Sequence, residues 1–138
     1  MRSYETFSTT ADAGIRFRGR DFSELYANAL RGLNLLLFGR NPGPRKNEGG
    51  SAAFCFRGDG PENVLVNFLA AVVALANQDG TQVAAAELRR ADARHLEARL
   101  RFASRRRAPK MEIKATTYHN LRVSEKNGVL RAAVVFDV

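Results

Sequence analysis

The segment Glu112-Ile-Lys-Ala-Thr-Thr-Tyr-His-Asn-Leu-Arg-Val123, with the run 129–138 that follows it, decides the fold that we expect for this chain. As an extended strand, it places on one face Ile113, Ala115, Thr117, His119, Leu121 and Val123. The other face carries Glu112, Lys114, Thr116, Tyr118, Asn120 and Arg122. A turn at 126–128 then leads to a closing strand that ends at Asp137-Val138. The two segments predict an amphipathic hairpin with a polar face and an acidic end.

Length and composition predict a single globular domain over residues 1–138. The chain has 138 residues, of which 45% are hydrophobic and 26% are charged, and both fractions are ordinary for a folded domain. Its one cysteine, Cys55, cannot form an intrachain disulfide, and we expect a buried thiol in the reducing cytoplasm. The N-terminus lacks the apolar core of a signal peptide. The longest apolar run, 64–76, contains Asn67 and is too short to span a membrane, so no membrane partner is expected.

The spacing of apolar residues predicts an α+β fold, in which two apolar helices pack between mostly antiparallel β-sheets with about seven strands. One helix is expected from the N-cap Asp21 to about Phe38, and the second from Pro61 to about Asn77. Both helices are apolar on more than one side, which indicates that sheets cover them. Alternation predicts strands at 4–8, 13–18, 51–57, 81–90, 94–103, 112–123 and 129–138.

The net charge of +8 is unevenly distributed along the chain. Between Arg89 and Lys110, nine basic groups stand against only Asp92 and Glu97. Such a cluster is suited to phosphates or to an acidic protein surface, and the candidates are Arg99, Arg101, Arg105, Arg106 and Arg107. A solvated basic edge explains the same pattern equally well. No aromatic rings interleave with these basic groups, which argues against a platform for stacked bases.

Two carboxylates are the best candidates for chemistry. Asp12 and Asp137 each stand at one end of a terminal strand, and chain ends are often neighbours in space. If both converge with the carboxylate of Val138, three negative groups share one site. All-oxygen ligands select Ca²⁺, Mg²⁺ or Mn²⁺. On spacing alone, two solvated aspartates remain the simpler interpretation. His119 has the parity of the apolar face, and we expect a structural histidine.

Four segments together resemble the archease family. Thr10-Ala-Asp-Ala-Gly-Ile15 resembles the family's T-A-D-x-G-I signature, and Glu112–Val123 closely resembles its I-K-A-x-T-Y-H-N-L segment. Ala133-Val-Val-Phe-Asp-Val138 is similar to the ending V-V-F-D-V/I, and Glu62-Asn-Val-Leu-Val-Asn-Phe-Leu69 is similar to the helix E-D-L-L-V-D-W-L. The matches run in order along essentially the whole chain.

The resemblance implies a cytoplasmic accessory protein of an RtcB-type RNA ligase, which joins RNA ends in tRNA splicing and repair. Such a protein promotes guanylylation and turnover of the ligase, contacts RNA through the ligase, and is not itself an enzyme. The resemblance assigns a divalent cation to Asp12, Asp137 and Val138, and we expect Lys114 and Tyr118 to contact the ligase.

The chain departs from the family pattern near these positions. Ser8-Thr9 replaces Asp-His, Asn63 and Asn67 replace aspartates, and Phe68 replaces tryptophan.

Two alternatives stay open at this point. One is a basic RNA-binding module that uses the cluster between Arg89 and Lys110 without activating a ligase. The other, ranked last, is a metal-dependent hydrolase. It requires a general base near the cation, and the only candidate is His119, whose parity is inward.

Overall fold

A computed structural model describes residues 2–9, 11–42, 49–78, 80–104 and 107–138. Within these ranges the chain forms two helices and eight strands. Their order is β1 (Tyr4–Ser8), β2 (Asp12–Gly19), α1 (Phe22–Phe38), β3 (Ser51–Arg57), α2 (Pro61–Ala76), β4 (Thr81–Ala91), β5 (His95–Ser104), β6 (Ala115–Thr116), β7 (Ser124–Lys126) and β8 (Val129–Asp137). The predicted α+β class is confirmed.

The strands form two antiparallel sheets. The larger sheet has the order β1-β2-β8-β6, and β7 also pairs with β8; the smaller sheet has the order β3-β5-β4. Both helices contact strands of both sheets. The helices therefore form a middle layer, as their apolar surfaces predicted, and the outer face of each sheet is directed away from them.

Local signals fix the ends of the helices. The Asp21 carboxylate accepts a hydrogen bond of 2.8 Å from the N–H of Glu24 at the start of α1, which satisfies one donor of the first turn. Gly39 ends the helix with a φ of 75°, a conformation that glycine adopts without steric cost. Pro61 opens α2 as predicted. The Phe68 side chain on α2 is fully buried, which places this helix in the core.

Two short turns set the register of the larger sheet. The β1–β2 hairpin closes with the N–H of Thr9 donating to the main-chain oxygen of Asp12 at 2.8 Å. The β7–β8 turn uses Asn127 and Gly128, with φ values of 54° and 76°, as expected for a two-residue hairpin turn. The resulting register places Asp12 directly opposite Asp137.

The prediction of a long strand over 112–123 is wrong. Within this segment, only Ala115–Thr116 forms a strand paired with β8. The chain then turns, with the N–H of Leu121 donating to the oxygen of Tyr118 at 3.0 Å. Strict alternation therefore fails here, and the Ala115 and His119 side chains, predicted to face inward, are exposed. Ile113 is buried as predicted.

The predicted burial of Cys55 is also wrong. Its thiol is exposed on β3, whereas the neighbouring Phe56 is buried. Successive side chains of a strand point to opposite faces, so a cysteine between two core-facing phenylalanines points outward. In the part of the chain that the structure describes, no helix is long and apolar enough to cross a membrane.

Candidate functional site

The structure brings Asp12 and Asp137 together at one end of the larger sheet. They are direct partners in the antiparallel pair of β2 and β8. The N–H of Asp12 donates to Oγ1 of Thr9 at 3.2 Å, which holds this residue in the hairpin. The main-chain oxygen of Asp137 accepts from the N–H of Lys114 at 2.8 Å. Three adjacent strands thus converge where Asp12 and Asp137 lie, and we call this region the acidic end.

The chemistry of the acidic end suits a hard cation. Side chains that lie directly opposite on antiparallel strands have Cβ atoms about 4.5 to 5.5 Å apart, and like charges there repel. Among the described residues, neither Asp12 nor Asp137 has an ion-pair partner. Val138 follows Asp137 directly and is 36% exposed. A divalent cation would relieve the repulsion, and carboxylate oxygens are the ligands that Ca²⁺, Mg²⁺ and Mn²⁺ prefer.

The side chains alone do not complete a metal site. The described ranges contain no group of three or more histidine, cysteine, aspartate or glutamate side chains that could hold an ion. Asp12 and Asp137 can supply two ligands, and further oxygen donors have to come from the main chain, the Val138 carboxylate, water or a partner.

Lys114 and Tyr118 lie on the segment that follows the acidic end, in different settings. Lys114 is exposed, and its main chain contacts Asp137. Tyr118 is 52% exposed, and its hydroxyl accepts a hydrogen bond of 2.5 Å from Nδ2 of Asn63 on α2. The carboxylate of Glu62 accepts from the N–H of Val123 at 3.2 Å. The first turn of α2 therefore holds the segment that presents the Tyr118 ring to solvent.

Two asparagines that replace family aspartates act as hydrogen-bond donors. Nδ2 of Asn67 donates to the main-chain oxygen of Arg57 at 3.1 Å, and Asn63 donates to Tyr118. An ionised carboxylate has no hydrogen to donate. Both amides thus tie α2 to neighbouring segments, without adding negative charge there.

The predicted basic cluster is partly neutralised in the structure. Arg101 forms an ion pair with Glu87, and Arg99 donates to Oγ of Ser51 at 3.1 Å. Arg107 is exposed, and Arg105 and Arg106 lie outside the described residues. The role of the basic cluster in binding RNA or an acidic partner stays a prediction.

Asp92 organises the turn between β4 and β5, although it was not among the predicted site residues. The main-chain N–H of Arg94, followed by the side chains of His95 and Arg90, lowers the pKa of Asp92 to about 2, although partial desolvation acts in the opposite sense. The Tyr26 hydroxyl donates to the main-chain oxygen of Asp92 at 2.7 Å. Burial, followed by the nearby charges of Asp92 and Glu62, raises the pKa of Tyr26 above its ordinary value. An aspartate that binds N–H groups two and three residues ahead is typical of a turn, which is the signal that could have revealed it.

Comparisons with known proteins agree with the fold and identify a family. A family model described as the Archease protein family (MTH1598/TM1083) matches residues 4–138. The solution structure of protein 1598 of Methanobacterium thermoautotrophicum is similar over 100% of both chains, with a TM-score of 0.73 and 19% identity. A Thermotoga maritima crystal structure, described as an archease and possible chaperone, is similar over 96% of this chain and 94% of that chain, with a TM-score of 0.61 and 22% identity. No curated protein matches the sequence.

Proposed function

Because the chain belongs to the archease family, we propose that it is an accessory protein of an RtcB-type RNA ligase in tRNA splicing or RNA repair. In this proposal it acts in the cytoplasm and is not itself an enzyme. It promotes guanylylation of the ligase and repeated turnover by the ligase, and it contacts RNA through the ligase.

The observation that carries the proposal is the cross-strand pair of Asp12 and Asp137. The family resemblance assigns a metal to these residues and Val138, and the register brings the two side chains together although they are distant in sequence. Asp12, Asp137 and the Val138 carboxylate would hold a Ca²⁺, Mg²⁺ or Mn²⁺ ion. When bound, such an ion would neutralise the acidic end and offer coordination positions to oxygen atoms of a partner.

Lys114 and Tyr118 are the proposed contacts with the ligase. Exposed tyrosines are frequent anchors of protein interfaces, and the hydrogen bond from Asn63 orients the Tyr118 ring before any partner arrives. Lys114 places a flexible cation next to the strand that carries Asp137. The ammonium group of Lys114 can bind a carboxylate or phosphate of the partner.

The direct test is guanylylation of a purified RtcB-type ligase by GTP, with and without this protein. We expect stimulation by the wild type, loss of stimulation with Asp12→Asn, and weakened stimulation with Lys114→Met. Asp59→Asn and Lys126→Met are matched controls, because they make the same charge changes at exposed positions in other segments. A wild-type protein that leaves the ligase unstimulated would contradict the proposal. Full activity of Asp12→Asn would remove the cation from it.

A further inference from the structure

The strand β3 forms an open edge of the smaller sheet. It pairs with β5 on one side, and among the described residues no strand pairs with it on the other. Its pairing with β5 continues over seven residues without a bulge, whereas β4, the opposite edge of this sheet, has two irregularities in its register. Charges, prolines and bulges usually prevent an edge strand from pairing with another chain. The segment 51–56 contains neither a charged residue nor a proline, so this edge is unprotected.

The hydrogen bonds at both ends of β3 show which main-chain groups face outward. The N–H of Phe102 on β5 donates to the oxygen of Gly50 at 3.0 Å. Because the residues of an antiparallel strand alternate in pointing toward and away from their partner strand, the odd-numbered residues of 51–57 point their main-chain groups away from β5. The oxygen of Arg57 agrees with this direction, since it accepts a hydrogen bond of 3.1 Å from Nδ2 of Asn67 on α2.

Small side chains on this edge leave room for charged groups of β5 to reach beyond it. Ala53 and Cys55 are exposed, and their cross-strand partners on β5 are Arg99 and Glu97. The Arg99 guanidinium lies toward β3, because it donates to Oγ of Ser51 at 3.1 Å. Among the described residues, neither Arg99 nor Glu97 has an ion-pair partner. The edge therefore presents one positive and one negative group in neighbouring rows.

The β4 side of the sheet does not neutralise these two groups by ion pairs. Glu87 lies opposite Arg99, but its carboxylate forms an ion pair with Arg101. Arg90 lies opposite Glu97, but its guanidinium forms an ion pair with Asp92 at 3.1 Å. Arg99 and Glu97 are thus available to charges that approach from the side of β3.

We propose that the β3 edge pairs with β3 of a second copy of this chain, antiparallel, with Ala53 of each copy opposite Cys55 of the other. The outward main-chain groups of these two residues then form four N–H···O bonds across a twofold axis. In this register Arg99, Ala53, Cys55 of the second copy and Glu97 of the second copy lie in one row. The twofold axis repeats the row.

The distance along this row suits an ion pair. Three strand spacings of about 4.8 Å place the Cα atoms of Arg99 and of Glu97 in the second copy about 14 Å apart. An arginine and a glutamate that extend toward each other span this distance, and the small side chains of Ala53 and Cys55 do not block them. Each dimer therefore gains two ion pairs between copies, and this charge complementarity identifies a second copy as the occupant of the edge.

The remaining pairs of the interface are compatible with the same register. Phe54 is half-buried, and its ring stacks on that of Phe56 with 6.0 Å between the centroids. It would lie opposite Phe54 of the second copy in a non-hydrogen-bonded pair, where side chains are closest, and aromatic cross-strand pairs are stabilising. Arg57 would lie opposite Ser51, so the pairs within 51–57 bring no like charges together.

The first test is sedimentation velocity of the full chain over a concentration series. An interface of one strand pair is small, so we expect a Kd between about 1 μM and 1 mM. Ala53→Pro removes an outward N–H but no bond to β5, as edge strands tolerate, and should weaken the dimer at least tenfold. Thr6→Pro is the matched control. The oxygen of Ser3 accepts from the N–H of Arg18, so Thr6 is at an outward position of β1, and this variant should dimerise as the wild type does.

A charge exchange tests the register. Glu97→Arg and Arg99→Glu each place like charges in both rows and should each weaken the dimer about tenfold. The double variant Arg99→Glu/Glu97→Arg restores opposite charges in both rows and should dimerise nearly as the wild type does. Glu125→Arg, at an exposed position on β7 of the larger sheet, makes the same charge change as Glu97→Arg and should have little effect.

Crosslinking through Cys55 gives an independent measurement, because this is the one cysteine of the chain. In the proposed register the two Cys55 residues are diagonal neighbours, about 7 to 8 Å apart. A bismaleimide of that length should join two copies of the wild type and should fail with Ala53→Pro.

Several results would overturn the assignment. These are a wild type that stays monomeric at about 1 mM, above the expected range of Kd, an Ala53→Pro variant that dimerises as well as the wild type, or a double charge variant as weak as the single ones. A monomeric protein whose Ala53 and Cys55 amide resonances shift on addition of an RtcB-type ligase would assign the edge to the ligase instead. Dimerisation is measured without the ligase, so its failure is distinct from failure of the proposed function.

Discussion

Asp12→Asn should change the stability of the protein in opposite directions with and without a divalent cation. The two carboxylates are cross-strand partners, and we take their charges to be about 5 Å apart. Coulomb repulsion at that distance is about 0.8 kcal/mol in water and about 3 kcal/mol at an effective dielectric constant of about 20. Neither side chain is buried, so the lower figure applies. In EDTA, the variant should be more stable than the wild type by about 1 kcal/mol.

A saturating cation should reverse this order. An ion that binds only the folded state adds about 2.7 kcal/mol at a concentration of 100 times its Kd. The wild type gains this stability, whereas Asp12→Asn has lost a ligand and gains little. Thermal unfolding of both proteins in EDTA and in a series of Ca²⁺, Mg²⁺ and Mn²⁺ concentrations measures the crossing.

The control for this experiment is Asp59→Asn, which removes an exposed carboxylate from the connection between β3 and α2. It should respond to each cation as the wild type does. Equal stabilisation of Asp12→Asn and the wild type would refute the metal site. An Asp12→Asn variant that is less stable than the wild type in EDTA would refute the repulsion on which the reasoning rests.

Three further substitutions test other parts of the structure. Asp92 binds N–H groups that lower its pKa to about 2, below the ordinary value of about 3.9, so the stability that its ionised carboxylate provides should be lost as pH falls from about 4 to 2. In urea unfolding, the wild type should be more stable than Asp92→Asn at pH 7, and this difference in stability should vanish near pH 2. A difference in stability that stays constant with pH would contradict this. A Cβ at Gly14 would clash with the Phe7 ring, so Gly14→Ala should lower the free energy of unfolding by about 1 to 3 kcal/mol. The loss should be much smaller when Phe7→Ala is also present. An equal loss in both backgrounds would exclude the contact as the cause. Asn67→Asp should lose the hydrogen bond to Arg57 and about 1 kcal/mol of stability, and unchanged chemical unfolding would show that this bond contributes nothing.

Features that depend on a few neighbouring residues were predictable from the sequence. The cap at Asp21 and the stop at Gly39 each need only the adjacent turn of helix. The strand β1 has the predicted bounds, Tyr4–Ser8. Alternating hydrophobicity and helix caps depend on residues that are close in sequence, and here those residues decide the structure.

The strand predicted over 112–123 failed because distant contacts shape it. Glu62 and Asn63 on α2 bind the chain at Val123 and Tyr118, and the turn that results breaks the alternation after Thr116. A period of two along the sequence contains no information about a helix that lies elsewhere in the chain. The exposure of His119 follows from the same contacts.

Two charged regions of the larger sheet differ in how readily the sequence reveals them. The acidic end was recognisable because Asp12 lies in a family motif and Asp137 in another. The cluster of arginines on the outer face of the larger sheet (Arg2, Arg16, Arg18, Arg122 and Arg131) was missed, since its residues come from separate segments and form no charge run. The sequence does show a run of basic residues between Arg89 and Lys110. In the structure, ion pairs such as that of Arg101 with Glu87 neutralise part of this run.

The acidic end depends on one feature, the register between β2 and β8. That register places Asp12 opposite Asp137 and Arg18 opposite Arg131. A shift of one residue would turn every side chain of β8 to the other face, which would bury Asp137 and Arg131 and expose Phe136. The cost of burying two charges and exposing a core phenylalanine excludes that alternative. The hydrophobic core therefore maintains the close approach of Asp12 and Asp137, which is the repulsion that the proposed cation would relieve.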